Sequence, residues 1–187
     1  MSSSFERTAS ETLLEGKFFS VRKDVFRHED GEDAERELVV HTAAVGIVAL
    51  DGEDLWLVRQ PREAIGSPDL LEIPAGKLDE EGEEPLATAK RELAEEIGKQ
   101  AATWEPLGAF YTSPGFTNEQ VHLFLATGLS DVEERPEVEE NERIDVEVRR
   151  LSELEALIAE ATDSKTIIAL ARLQLLLAAE ERLPHAD

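Results

Sequence analysis

Cysteine is absent from the 187-residue chain. That excludes disulfides, thiolate nucleophiles and thiolate metal ligands. Histidine is scarce, with four in all, which argues against a zinc centre. No apolar run reaches the roughly 18 residues that a membrane span needs. No signal peptide is legible either, so a cytoplasmic protein without a membrane partner is expected. Positive charge is also short: Lys and Arg number 19 against 42 Asp and Glu, a formal net charge of −23. That balance argues against a nucleic-acid backbone as partner, because binding one needs basic surface. The acid excess favours solubility and fits a salt-rich cytoplasm. No internal repeat is visible.

What is present is an ordinary globular balance, 41% hydrophobic and 33% charged. The length suits one well-buried domain with an appendage. Residues 1–10 are polar and expected to fray. Thr12 to Phe26, broken at Gly16, reads as a short strand pair, and Arg36 to Thr42 as another strand. Residues 1–42 hold too little apolar material to fold alone. They are expected to form a small β-domain that packs against the rest of the chain or a second subunit. From residue 43 to 187 the pattern changes. Ala43 to Leu50 is a continuous apolar run, a buried strand. Leu55 to Gln60 is the next strand, carrying Arg59, Gln60 and Arg62 to its end. Trp104 to Thr112 and Val121 to Thr127 read as strands flanking a turn-rich loop, Thr112 to Glu119. Ser130 to Arg143 is acidic and loop-like, and Ile144 to Val148 alternates like a strand. Ser152 and Glu155 have the spacing of a capping box opening a helix to Ala161. Ser164 to Leu183 reads as a Leu-rich helix. Strands before and after one long helix, then terminal helices, predict an α/β fold with a mixed sheet between helices.

The stretch Pro74 to Gly98 carries the chemistry. Glu84 to Ile97 reads as a helix with Pro85 in its first turn, where the missing N–H costs little. At about 100° per residue, Leu86, Ala89, Leu93 and Ile97 share a core-facing side. Glu92, Glu95 and Glu96 share another, at spacings where like charges repel by a few tenths of a kcal/mol per pair. A divalent cation offsets that repulsion, and hard Mg²⁺ or Mn²⁺ prefers carboxylate oxygen. Arg91 lies beside this face and can orient one carboxylate.

Gly76, Glu83 and then Arg91-Glu92-Leu93-x-Glu95-Glu96-x-Gly98 together resemble the Nudix box, the signature of hydrolases acting on nucleoside diphosphates linked to another moiety. Two positions depart from it. Six residues separate Gly76 from Glu83, one more than usual, and Lys99 stands where an aliphatic residue is usual. The insertion falls in the Asp79–Gly82 turn, which absorbs it easily. Beyond the box the sequence resembles the ADP-ribose pyrophosphatase branch. Pro114 stands 16 residues past Gly98. Gln60-Pro61-Arg62 ends a strand ahead of Glu72-Ile73-Pro74-Ala75-Gly76, and Glu139-Glu140-Asn141-Glu142 precedes the last strand.

The resemblance implies a Nudix α/β/α sandwich with an N-terminal β-domain that joins a homodimer. It implies divalent-metal-dependent hydrolysis of ADP-ribose to AMP and ribose 5-phosphate. Alternatives are another nucleotide sugar or dinucleotide, such as GDP-mannose or NADH, or a non-catalytic ligand sensor. It assigns Mg²⁺ or Mn²⁺ to the Ala75 carbonyl, Glu92, Glu95, Glu96 and Glu142, cations that neutralise pyrophosphate oxygens and activate water. Glu140 is expected as the base, with Glu139 the alternative because a loop has no fixed phase. Glu95 and Arg91 are expected to support catalysis. Arg62 and Arg36 would face phosphates or ribose, because arginine presents a fork to phosphate. Gln60, Gly115 and Glu119 complete the expected substrate contacts.

Overall fold

The computed structural model describes residues 4–78, 82–136 and 143–180. The chain packs as two units, Met1–Ala43 with Phe110–Gln120, and Ala44–Ala109 with Val121–Asp187.

The first unit is built on an antiparallel sheet in the order β1-β2-β3. Its strands are β1 (Phe5–Glu15), β2 (Phe19–His28) and β3 (Asp33–His41). The hairpin is longer than expected. Residues 5–10 are not frayed, because each side of the pairing from Phe5↔His28 to Ser10↔Asp24 supplies ladder partners. At the first turn the Gly16 amide donates to the Phe19 carbonyl at 2.9 Å. A Cβ on Gly16 would stand 2.8 Å from that oxygen, so only glycine closes this turn. The sheet holds one fully buried charge, Asp24. Its carboxylate accepts from Ser10 Oγ at 2.6 Å, Arg22 Nη2 at 2.9 Å and Arg7 Nη1 at 3.4 Å. Burial pushes the Asp24 pKa up, but the Ser10 hydroxyl and the two guanidiniums outweigh it and hold the group below its usual value. The segment Thr112–Glu119 belongs to this unit and lies along β3. Val39 N–H donates to the Phe116 carbonyl at 2.8 Å, and His41 N–H to Asn118 Oδ1 at 2.9 Å. The turn formers here serve a docked strand partner, which local sequence does not reveal.

The second unit contains β4 (Ala44–Asp51), β5 (Asp54–Arg62), β6 (Ser67–Glu72), β7 (Ala75–Lys77), β8 (Lys99–Tyr111), β9 (Gln120–Asp131) and β10 (Asp145–Arg150). The sheet order is β10-β5-β4-β9-β8, with β6 on β5 and β7 on β4. It is mixed: β4 runs parallel to β9 and antiparallel to β5 and β7. The helices are α1 (Pro85–Ile97), α2 (Leu154–Glu160) and α3 (Ser164–Glu180). β4 is buried on both faces, as its unbroken apolar run requires. Val45, Ile47 and Ala49 cluster with Ala89, Leu93 and Ile97 of α1, and α3 also packs on β4. Leu86, expected in that cluster, is 36% exposed instead. It sits in the first turn, and the inward positions there go to Thr88 and Ala89.

Two further expectations change. The capping box at Ser152 and Glu155 does not form. A 3₁₀ turn over Leu151–Glu153 precedes α2, and Glu153 Oε2 accepts the Arg150 N–H at 2.9 Å. Lys99 costs the core nothing. Its ammonium reaches Asp131 at 2.6 Å and lies 4.4 Å from the centroid of the Trp56 ring, a cation–π contact over a buried stem.

Candidate active site

The site is assembled by α1 and the three-residue strand β7. Gly98, in the left-handed region at φ 67°, ends α1 by donating its N–H to the Ala94 carbonyl at 3.0 Å. Arg135 ties down the same end, giving Nε to the Glu95 carbonyl at 3.0 Å and Nη2 to the Glu96 carbonyl at 2.6 Å. The chain ahead of β7 is fixed where Ile47 N–H meets the Pro74 carbonyl at 2.8 Å.

Between these anchors the acidic side chains meet the backbone of β7. Glu96, 4% exposed, accepts the Ala75 N–H at 2.9 Å. Glu92 lies against Gly76 so closely that a Cβ there would fall 1.9 Å from Glu92 Cδ. Gly76 is therefore required by a side chain arriving from α1, not by a turn.

Arg91 gathers the remaining carboxylates. Its guanidinium stands 2.9 Å from Glu92 Oε1, 3.0 Å from Glu95 Oε2 and 3.6 Å from Glu83 Oε2. Thr88 Oγ1 donates to Glu83 Oε2 at 2.9 Å and holds it in place. The sequence reading gave Arg91 one carboxylate; the structure gives it three. Glu83, Glu92, Glu95 and Glu96 make the cluster rich in carboxylate oxygen.

Among the described residues no group of three or more His, Asp or Glu side chains is arranged to hold a metal ion. The donors nonetheless fit a hard divalent cation. They are carboxylate oxygens, and Gly76 keeps any side chain from standing between Glu92 and the backbone. Glu139, Glu140 and Glu142 lie outside the described residues.

The expected substrate contacts are divided between the two units. Gln60 and Arg62 end β5 in the second unit. Gln60 is buried, and its Nε2 has no hydrogen-bond partner among the described residues. Arg62 places Nε and Nη2 on the two oxygens of Glu72, at 2.6 and 2.7 Å. Those bonds to Glu72 raise the Arg62 pKa against the effect of burial, with Asp163 and Glu96 adding to them. Arg36, Gly115 and Glu119 belong to the first unit. Arg36 is exposed on β3 and donates to the Glu35 carbonyl at 2.8 Å. Gly115 sits in the exposed turn after Pro114. Glu119 accepts Thr112 Oγ1 at 2.8 Å and stands 3.7 Å from His41 Nδ1.

Glu72 was legible only as part of the motif ahead of Gly76, and Asp163, Lys165 and Thr166 were not read from the sequence. Glu72 is fully buried and also pairs with Lys165. Asp163 accepts the Thr166 N–H at 3.0 Å, as an N-cap residue does. Burial raises the Asp163 pKa, but the Lys165 charge and the Thr166 bonds prevail and lower it. The legible signal was an Asp just before a helix and three residues ahead of a Thr.

A family model described as the NUDIX domain matches residues 40–171. The chain belongs to the Nudix family. Its Nudix box is thus the α1–β7 cluster just described, with Gly76 at the close approach and Arg91 at the centre. Similar proteins include the ADP-ribose pyrophosphatase of Mycobacterium tuberculosis, 47% identical over 139 residues, or 74% of this chain and 66% of that protein. That of Bacillus subtilis is 41% identical over 94% of this chain and 96% of its own length. A methanol dehydrogenase activator of Bacillus methanolicus is 38% identical over 94% of both. The crystal structure of an ADP compounds hydrolase superposes with a TM-score of 0.83 at 22% identity, covering 96% of this chain and 97% of that one. At that identity the likeness establishes the shared Nudix fold.

Proposed function

We propose that this Nudix enzyme hydrolyses the pyrophosphate bond of ADP-ribose to AMP and ribose 5-phosphate, with Mg²⁺ or Mn²⁺ as its cation. The observation that carries the reading is the Bacillus subtilis pyrophosphatase, similar over nearly the full length of both chains. The box geometry supports it. Glu92, Glu95, Glu96 and the Ala75 carbonyl would hold the cation, with Glu142 from the acidic loop. The chemistry a divalent cation supplies when bound is neutralisation of the pyrophosphate oxygens and activation of water. Arg91 acts as a positioning residue, holding Glu92 and Glu95 in register. Arg62 binds phosphate through the edge of its guanidinium that Glu72 leaves open, and Gln60 offers an amide donor beside it. Glu140 takes the proton of the attacking water.

The reading extends to a cytoplasmic homodimer joined through residues 12–42. Leu13, Leu14, Phe18 and Phe19 support it, because each is more than 40% exposed around one hairpin turn. A second reading, activation of a dehydrogenase partner, draws on the Bacillus methanolicus relative. The test is to incubate the protein and Mg²⁺ with ADP-ribose, GDP-mannose and NADH and resolve the products by chromatography. ADP-ribose is expected to give the highest kcat/KM. A higher value for another compound reassigns the substrate. Methanol dehydrogenase turnover that rises with added chain, while no compound is cleaved, favours the second reading.

A further inference from the structure

Glu72, the last residue of β6, has no exposed surface. An ionised carboxylate in such a place is costly unless it is paired and hydrogen-bonded. Two cations from different elements pair it. Arg62 of β5 sets its fork on both oxygens, and Lys165 of α3 bonds Oε2. Lys165 is itself held by Asp163 Oδ2 at 3.0 Å. The same Asp163 oxygen accepts Thr166 Oγ1 at 2.6 Å, and Thr166 Oγ1 in turn accepts the Ile73 N–H at 3.0 Å. The first turn of α3 therefore grips two consecutive residues, Glu72 by charge and Ile73 by backbone. Directly after them come Pro74, Ala75, which meets Glu96, and Gly76, which admits Glu92.

Arg62 faces two ways. Its Nε and Nη2 are committed to Glu72, while its side chain remains 42% exposed. Nη1 makes no hydrogen bond among the described residues. Two parallel N–H···O bonds make the plane of a guanidinium follow the plane of its carboxylate. The Glu72 carboxylate can turn about its last torsion, which has no sharp minimum of its own. A third contact from a separate element removes that freedom, and Lys165 is that contact.

We propose that Lys165 is a positioning residue for the reaction: by fixing the Glu72 carboxylate, it fixes where the open edge of Arg62 meets the substrate pyrophosphate. This rests on the preceding reading that the substrate is a nucleoside diphosphate compound. It adds that α3, which carries no box residue, sets the geometry of phosphate binding.

A double-mutant cycle between Lys165 and Arg62 tests it. Lys165→Met is expected to lower kcat/KM for ADP-ribose by about 10- to 100-fold, the scale of a small misplacement of a binding group. In an Arg62→Ala background the same change is expected to cost less than about twofold, since nothing is left to position. Lys165→Arg should recover most of the wild-type value. Equal losses in both backgrounds overturn the proposal and make Lys165 merely structural. Should Lys165→Met fail to fold, Glu72→Gln with Lys165→Met removes the buried charge as well. That pair is expected to fold and still show low kcat/KM; wild-type kcat/KM in it overturns the proposal. Binding of inorganic pyrophosphate with Mg²⁺, followed by calorimetry across the same cycle, separates the two readings. Wild type that leaves ADP-ribose intact sinks the substrate reading, while non-additive pyrophosphate affinities still support the role of Lys165. Additive affinities overturn that role whatever the substrate.

Discussion

Arg91 illustrates how much one residue organises. Its guanidinium meets Glu83, Glu92 and Glu95, so the like charges that would repel along α1 share a counter-charge. In the proposed mechanism the box carboxylates are poor candidates for the base, because Arg91, the Ala75 amide and the cation they would hold engage their oxygens. Glu140→Gln is therefore expected to cut kcat by roughly 10²–10⁴, the range of a lost general base, with KM within a few-fold. Steady-state kinetics of Glu139→Gln and Glu140→Gln decide the assignment. A large kcat loss at Glu139 alone moves the base by one residue, and a loss at neither removes the base from this loop. Asp24 offers a separate test, of stability. Its pKa is depressed in the folded state. The stabilisation it gives is thus present above the unfolded value, about 3.9, and is lost as pH falls through the folded value. Denaturation midpoints of wild type are expected to drop below about pH 4 more steeply than those of Asp24→Asn. Parallel pH profiles would contradict the assigned shift.

The elements differ in how far sequence alone announces them. α1 was legible because Pro85, the spacing of Ala89, Leu93 and Ile97, and Gly98 all act within one helix. β4 was legible as an unbroken apolar run. β1 was legible only at its end, from Thr12, because all eleven of its residues are exposed. Periodicity reports a buried face, and β1 has none; it exists through its ladder with β2. The Glu72–Lys165 pair was hidden for a similar reason, since 93 residues separate its members. In the site, Gly76, Glu92 and Glu96 were readable as a motif, but the reason for Gly76 emerged only when Glu92 was seen against its backbone. Arg135 was likewise unread, because the helix end it serves lies 39 and 40 residues back along the chain. Two charge-assisted bonds to the last carbonyls of α1 also oppose the negative end of the helix dipole. Arg135→Ala is expected to destabilise the enzyme by about 1–3 kcal/mol, read from urea unfolding at constant m-value. A change within about 0.5 kcal/mol would show that Gly98 alone suffices to end the helix.

At the scale of the whole molecule, a net charge of −23 surrounds a site meant for an anionic substrate. Under the proposed function, positive charge is supplied locally, by Arg62 and by the cation that the box carboxylates would hold. The same scale bears on assembly. Exposed Phe5, Leu13, Leu14, Phe18 and Phe19 are a large apolar display for one small sheet. Light scattering at micromolar concentration is expected to give about twice the 20.7 kDa of one chain, and a monomer mass would contradict the dimer. The α1–β7 cluster is proposed to hold a divalent cation for pyrophosphate hydrolysis. Its most direct test is the rate of AMP release from ADP-ribose as Mg²⁺ is titrated into EDTA-treated wild type and Glu96→Gln. No turnover is expected before Mg²⁺ is restored, then saturable recovery in wild type and a folded variant slower by a factor of about 10² or more. Undiminished turnover in EDTA, or a Glu96→Gln enzyme at the wild-type rate, would contradict it.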